Sequence, residues 1–462
     1  MRGKPFSGEA QGADGGASIL ARIARPALRY ITDGWYFKND EQSRNRRNLL
    51  FVNYTANVIV NIVGASFFTG LLITMNADDG FIGLMSVFAV SANLLQMFSP
   101  LLLERFPRRK TLLRAGRAVI MFINIVFIGV IPLFPGADQL KLTIMGASVL
   151  LVNLLNAVFS PGVSIWFISF TPERMRSRFF SVISMTNGVI IAFATIGAGM
   201  LADFFKTRQM ELFGLQAVRG IALLLAVIDF LLVGQMKEYP YENAGAVKFK
   251  QLLLDPFRER LYLRTVFIAF LWSLTANIPG PYYTVYLLKD LGVSYSFLML
   301  VGFINVPVLL ILAPVWARFV RRFSWFKALC AALSFFLLHY ILAAFITGSN
   351  IYYLYPLMML YAYVLLVGIN LTFTNIPYIN MPKKNQTLFI GFYATVANLG
   401  ALIGVSIGNA FILATKDIHI TLLGVDMGNK QYMMLLVAGM MLVALLLINI
   451  LRKGTENRET ED

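Results

Sequence analysis

From its N-terminus the chain runs through 48 residues of mixed polar and basic sequence, then into long apolar runs separated by short polar breaks. Twelve runs are long enough to cross a bilayer: 49–75, 81–103, 113–134, 142–170, 179–202 and 212–236, then, after a longer polar break, 263–287, 295–317, 326–347, 351–376, 388–414 and 432–451. Crossing a hydrocarbon core about 30 Å thick takes about 20 mainly apolar residues of helix. Backbone amides in lipid must pair within the segment, which leaves helices, and no run alternates at the two-residue period of a membrane strand. The predicted fold class is an all-α polytopic membrane protein with twelve transmembrane helices. With the first run starting at residue 49, no cleavable leader is expected, and helix 1 acts as the insertion signal.

Composition agrees: 58% of residues are hydrophobic and 14% charged, against about 45–50% and about 25% in a soluble domain. The net charge of +16, taken alone, reads as a nucleic-acid binder. Its distribution says otherwise. Nine Lys and Arg precede helix 1, none lies in 76–80, six follow helix 2, and the alternation continues to the C-terminus. This places both termini in the cytoplasm. Of 40 basic residues, 33 fall in segments so assigned, leaving +18 inside and −2 outside. The excess is a topology signal that favours anionic lipid headgroups on the cytoplasmic face, with no nucleic-acid partner. A single Cys330 with His339 and His419 gives no basis for a disulfide scaffold or a Cys/His metal centre. No phosphate-binding loop of a P-loop pump is present. Neither cofactor nor metal is expected, nor an enzyme, and a monomer is the expected assembly.

The break after helix 6 divides the twelve into six plus six. Glu-Arg-Phe-Pro-Arg-Arg at 104–109 recurs as Ala-Arg-Phe-Val-Arg-Arg at 317–322, 213 positions on, each copy after the second helix of its half. Pro172 with Phe179 is echoed by Pro382 with Phe389. A parallel duplication of two pseudo-symmetric six-helix bundles is the reading, with a site between them near the midplane. The expected segments are a basic N-terminal stretch (1–48), two bundles (49–236 and 261–451), a linker (237–260) and a tail (452–462).

On these features the chain resembles the major facilitator superfamily of secondary transporters. The family signature between helices 2 and 3, Gly-x-x-x-Asp-Arg-x-Gly-Arg-Arg/Lys, reads here Pro100-x-x-x-Glu104-Arg105-x-Pro107-Arg108-Arg109-Lys110. The basic positions match, the acid is Glu, and both glycines are prolines. The second copy keeps Arg318, Arg321 and Arg322, with Ala317 at the acid. The resemblance implies a gate latch formed by Glu104, Arg105, Arg108 and Arg109 that favours the outward-facing state. Residues 252–264 look like the amphipathic lead-in of bacterial members, while the Gly-Pro pair of drug/proton antiporters is missing from helix 5.

By resemblance, helices 1, 4, 7 and 10 line a cavity. Helix 1 carries Asn53, Asn57 and Asn61 in one row, and amides are costly against lipid tails, so the row is expected to face inward. Helix 4 offers Asn153, Asn156 and Trp166; helix 7 offers Trp272, Asn277, Tyr282 and Tyr283; helix 10 offers Tyr363, Asn370, Thr374 and Asn375. Amides and rings without a deep Lys or Arg suit a neutral or amphipathic solute. Helix-to-helix adhesion by the same amides is the alternative.

Two charges lie well inside apolar runs, away from their ends: Arg219 and Asp229, both in helix 6. Ten residues, about 15 Å of helix, separate them, so they cannot pair directly. Arg219 is expected to reach the outer interface. Asp229 is the deep carboxylate and the candidate proton carrier, a protonated structural Asp being the simpler account. The stripe Gly400, Gly404 and Gly408 in helix 11 serves either rocking between the halves or static packing. Residues 19–31 read as a basic amphipathic segment on the inner leaflet. The function expected is secondary transport by rocker-switch alternating access, with proton coupling as an option. A receptor or scaffold that binds without moving solute is the alternative.

Overall fold

The computed structural model describes residues 41–99, 103, 106, 109–171, 173–237, 255–382 and 386–452. The basic segment at 19–31 lies outside them. Eleven helices are long and apolar enough to cross a membrane, and a twelfth, Asp79–Leu94, is apolar but shorter. In chain order they are α1 (Ser43–Thr74), α2 (Asp79–Leu94), α3 (Lys110–Leu133), α4 (Asp138–Ser169), α5 (Glu173–Lys206) and α6 (Glu211–Gln235). The second six are α7 (Arg260–Asp290), α8 (Tyr295–Phe323), α9 (Trp325–Ala344), α10 (Ile351–Ile379), α11 (Gln386–Ala414) and α12 (Asn429–Arg452). This is the twelve-helix membrane fold that the apolar runs predict. α1 starts earlier than expected because Ser43 accepts a hydrogen bond from Arg46 within the first turn, and Asn45 accepts from the backbone of Lys237.

The small exception to the all-helical pattern is a hairpin between α11 and α12, β1 (Ile420–Leu422) against β2 (Val425–Met427), with Thr421 opposite Asp426. We call this the hairpin end of the bundle, and the opposite side, where α1 begins and α12 stops, the terminal end. Two helices at the hairpin end start on a side-chain cap that satisfies an otherwise orphaned amide. Asp78 accepts from the Phe81 N–H at 2.6 Å, and Ser294 accepts from that of Phe297.

Among the first six helices α1 packs on α5 and α6, and α2 on α4; among the last six α7 packs on α11 and α12, and α9 on α10 and α12. Between the two sets the main seams are α2 with α11 and α5 with α8. Advancing each helix number by six turns one seam into the other, as a twofold relation between duplicated halves requires. The glycine stripe of α11 does not lie on a seam. A side chain at Gly400, Gly404 or Gly408 would run into the α7 backbone at Phe270, Leu274 and Ile278, so the stripe is a static contact inside the last six helices.

Candidate solute cavity and gate

Two helices in corresponding positions are broken. In α1 the Phe67 N–H bonds to the Gly64 carbonyl rather than to that of Val63, and Ala65 sits at φ +42°. An alanine in that left-handed region costs about 1–2 kcal/mol. In α7 the helix stops at Asn277 and resumes at Tyr282; Pro279 and Pro281 lack the N–H donor, and Gly280 between them takes φ +42°. Shifted by the 213-residue offset of the repeat, Gly64 falls on Asn277, so the breaks are equivalent. Interrupted helices at matched positions of a duplicated chain point to a binding site.

They meet at a cavity of about 370 Å³. Its walls are Val60, Gly64, Phe68 and Thr69 of α1, Ile82, Met85, Ser86 and Ala89 of α2, Asn124 and Ile128 of α3, and Val149, Asn153 and Asn156 of α4, with Pro281 contributed by the α7 break. No lining residue is charged. The polar groups on offer are the hydroxyls of Thr69 and Ser86 and the amides of Asn124, Asn153 and Asn156.

Behind the wall stands Arg219, 5% exposed. It donates to the Asn124 carbonyl at 2.7 Å and to the Val63 carbonyl at 3.4 Å. The second is the acceptor that the α1 break sets free; the first lies in the widened turn of α3 at Phe122–Phe127. Arg219 therefore does not reach the interface as its position in the run predicts. Two orphaned carbonyls in the interior hold a cation better than the longer route to water does.

Asp229, fully buried, is not alone either. Arg117 grips it with Nε–Oδ2 at 2.7 Å and Nη2–Oδ1 at 2.8 Å, and the Thr55 hydroxyl donates to Oδ1 at 3.0 Å. By hydropathy Arg117 belongs with the loop cations after helix 2; in the fold it lies two turns inside α3. One carboxylate thus ties α1, α3 and α6 together.

The expected cavity residues are only partly gathered. Asn53, Asn57 and Asn61 form a half-buried row, on the face of α1 that carries Val60 and Gly64. Each amide donates to the carbonyl four residues back, at 2.8–2.9 Å, leaving its oxygen side for another partner. Asn153 bonds likewise to Val149, and Asn277 to Ser273. Trp272 stacks on Phe373 at 5.6 Å and meets Phe336 edge-on. The Tyr283 hydroxyl is buried without a partner beside Tyr286 and Tyr355. Asn370 and Thr374 are exposed, the hydroxyl of Thr374 bonding to the Asn370 carbonyl. None of these α7 and α10 residues lines the α1 pocket. Trp166 is buried, and its indole donates to the Lys237 carbonyl at the terminal end.

The charged residues that do join the two halves stand at the hairpin end. Lys430, 6% exposed, bridges Asp79 at 2.6 Å and Asp290 at 2.7 Å, and Lys289 holds the other oxygen of Asp79 at 2.8 Å. On the second seam Asp203 of α5 accepts from the backbone N–H groups of Tyr295 and Ser296 at 2.8 and 2.7 Å. That puts a carboxylate on the positive N-terminus of α8. The Tyr295 hydroxyl donates to Glu211 at 2.7 Å, and its ring stacks on Phe67 at 5.6 Å. These contacts tie the first six helices to the last six on both seams. No local motif announces them, since their partners lie 84 to 351 residues apart.

The sequence matches the family described as Major Facilitator Superfamily over residues 49–405. The chain belongs to the Major Facilitator Superfamily. No curated protein sequence matches it. Among solved structures it is similar to a point mutant of the nucleoside transporter NupG, with 14% identity, TM-score 0.66, 89% of this chain covered and 100% of that one. A bacterial homologue of the iron transporter ferroportin in its inward-facing state gives 15% identity and TM-score 0.66, covering 88% and 98%. The outward-facing state of such a homologue gives 14% and 0.53, covering 90% and 100%. The protein is thus a multi-pass membrane protein of a transporter family and not an enzyme. Of the family's signature loop, Glu104, Arg105 and Arg108 lie outside the described residues. Arg109 donates to the Phe106 carbonyl at 3.0 Å. In the second copy Arg318, Arg321 and Arg322 are all exposed.

Proposed function

We propose that this superfamily member is a secondary active transporter of the cytoplasmic membrane that moves a small neutral or amphipathic solute by rocker-switch alternating access. Its two moving bodies are residues 49–236 and 261–451. Its termini are cytoplasmic, so the hairpin end faces out, and the described conformation is the inward-open one. The reading is carried by the matched breaks of α1 and α7 meeting at one uncharged pocket, just inside a seam closed at the hairpin end. The better fit to an inward-facing relative than to an outward-facing one agrees with it.

In this account Asn153 and Asn156 orient the solute, Asn53, Asn57 and Asn61 offer their amide oxygens along the way in, and Trp272, Asn277, Tyr283, Asn370 and Thr374 join when the last six helices swing over. Glu104, Arg105, Arg108 and Arg109, with Arg318, Arg321 and Arg322, form the inner latch that closes in the other state. Asp229 stays the coupling candidate, at a stated cost: a proton there must displace the bidentate Arg117 and the Thr55 hydroxyl.

Counterflow of uncharged solutes (nucleosides, sugars, amphipathic compounds) in proteoliposomes tests the function. A transported solute should lose at least roughly tenfold in rate on Asn153→Ala with Asn156→Ala, as two lost hydrogen bonds would give. Solutes that raise the thermal midpoint yet show no counterflow would support a receptor instead.

A further inference from the structure

On the outer side of the first six helices, α3 and α6 leave an open groove of about 160 Å³. It is walled by apolar side chains that include Ala118, Phe122, Val227 and Phe230, and bordered toward the terminal end by Arg114 and Arg117. Phe122 and Val227 are more than half exposed, so the groove faces the surroundings of the bundle and not the solute cavity.

Arg117 is engaged by Asp229 through two of its three guanidinium nitrogens. Arg114 has no such partner. Its guanidinium lies 3.9 Å over the Phe230 ring and against Gly234, where any side chain would collide with it. Its Nε is buried without a hydrogen bond. Arg114 is half-buried, so this cation has lost part of its water and gained the face of a ring, an incomplete exchange. Lys110, Arg114 and Arg117 follow at helical spacing along one face of α3, with Asp229 as the facing carboxylate, so the local balance is positive. From Arg114 the groove runs to Phe122, about 12 Å of helix rise. The rim wants an anion and the channel wants hydrocarbon, at a spacing one molecule can satisfy.

We propose that the α3–α6 groove is a binding site for an anionic glycerophospholipid. Its phosphate sits on Arg114 and the unengaged nitrogen of Arg117, and one acyl chain lies along Ala118, Phe122 and Val227. This is a discrete site, distinct from the general attraction of a basic face for acidic headgroups.

Native mass spectrometry of the full chain, equilibrated in detergent with phosphatidylglycerol or with phosphatidylcholine of the same chains, tests it. One phosphatidylglycerol adduct should survive delipidation that strips phosphatidylcholine. Arg114→Gln should lower that adduct about tenfold. Val227→Trp, which fills the groove and leaves the cations alone, should lower it too. Arg258→Gln, at an exposed cation elsewhere on the terminal end, should leave it unchanged, and excess inorganic phosphate should not displace it. Wild-type retention in both groove variants overturns the proposal. So does an equal loss in R114Q and R258Q, which would mean surface charge alone, or full displacement by phosphate, which would mean a simple anion site.

Discussion

The hairpin end and the middle of the bundle are held together by different means. At the hairpin end, Asp79, Lys289, Asp290 and Lys430 on one seam and Asp203, Glu211 and Tyr295 on the other bind the first six helices to the last six. In mid-bundle the halves meet through an aromatic contact, Phe193 on Phe303, 5.8 Å apart. A permanent interface would be expected to be cohesive along its length. One sealed by charged and polar pairs at its end is suited to exchange, because charged pairs can be given up to water where apolar burial cannot.

The largest expected effect lies off the seams and sharpens the contrast. Arg117→Ala leaves Asp229 buried and unpaired, a loss of about 3–5 kcal/mol of stability, visible as a lowered thermal midpoint of the purified protein. Replacing both partners with apolar residues should recover most of it. The balance between open and closed ends should not move in either variant, since the pair ties α1, α3 and α6 within one half.

Next comes Asp203→Ala, which strips the α8 N-terminus of two charge-assisted hydrogen bonds, each worth about 1.5–3 kcal/mol. It should shift the population toward the hairpin-open state by more than tenfold, read as faster labelling of a cysteine placed at Ser296 in a Cys330→Ser background. Asp79→Asn should shift it less, by about tenfold, because Lys430 keeps Asp290 and the Lys289 pair is half in solvent. Arg321→Gln, at an exposed position of the terminal end, should change stability by less than about 0.5 kcal/mol in this conformation.

The fold was legible because lipid leaves the backbone few choices: the apolar runs and the Lys/Arg alternation had to agree, and the twelve helices follow. Local chemistry was legible too, as in the Asn53, Asn57 and Asn61 row. What stayed hidden was long-range. Asp229 looked solitary because its partner Arg117 is 112 residues away and sits near the start of its helix, where a cation resembles a loop residue. Arg219 looked bound for the interface because carbonyls freed by a break at Gly64 have no signature in a hydropathy profile. The α1 break itself was hidden, since a lone glycine followed by alanine is ordinary inside a membrane helix, whereas Pro279-Gly280-Pro281 marked its counterpart in α7.

The most direct test of alternating access is a pair of electron–electron distances in one sample condition. Spin labels at Thr111 and Arg321 span the terminal end, and labels at Ala137 and Ser349 span the hairpin end, all exposed positions in a Cys330→Ser background. In lipid nanodiscs the Asp79→Asn, Asp203→Ala double variant should shorten the Thr111–Arg321 distance while lengthening the Ala137–Ser349 distance. Two distributions that stay at their wild-type values, or that lengthen together, would contradict the account.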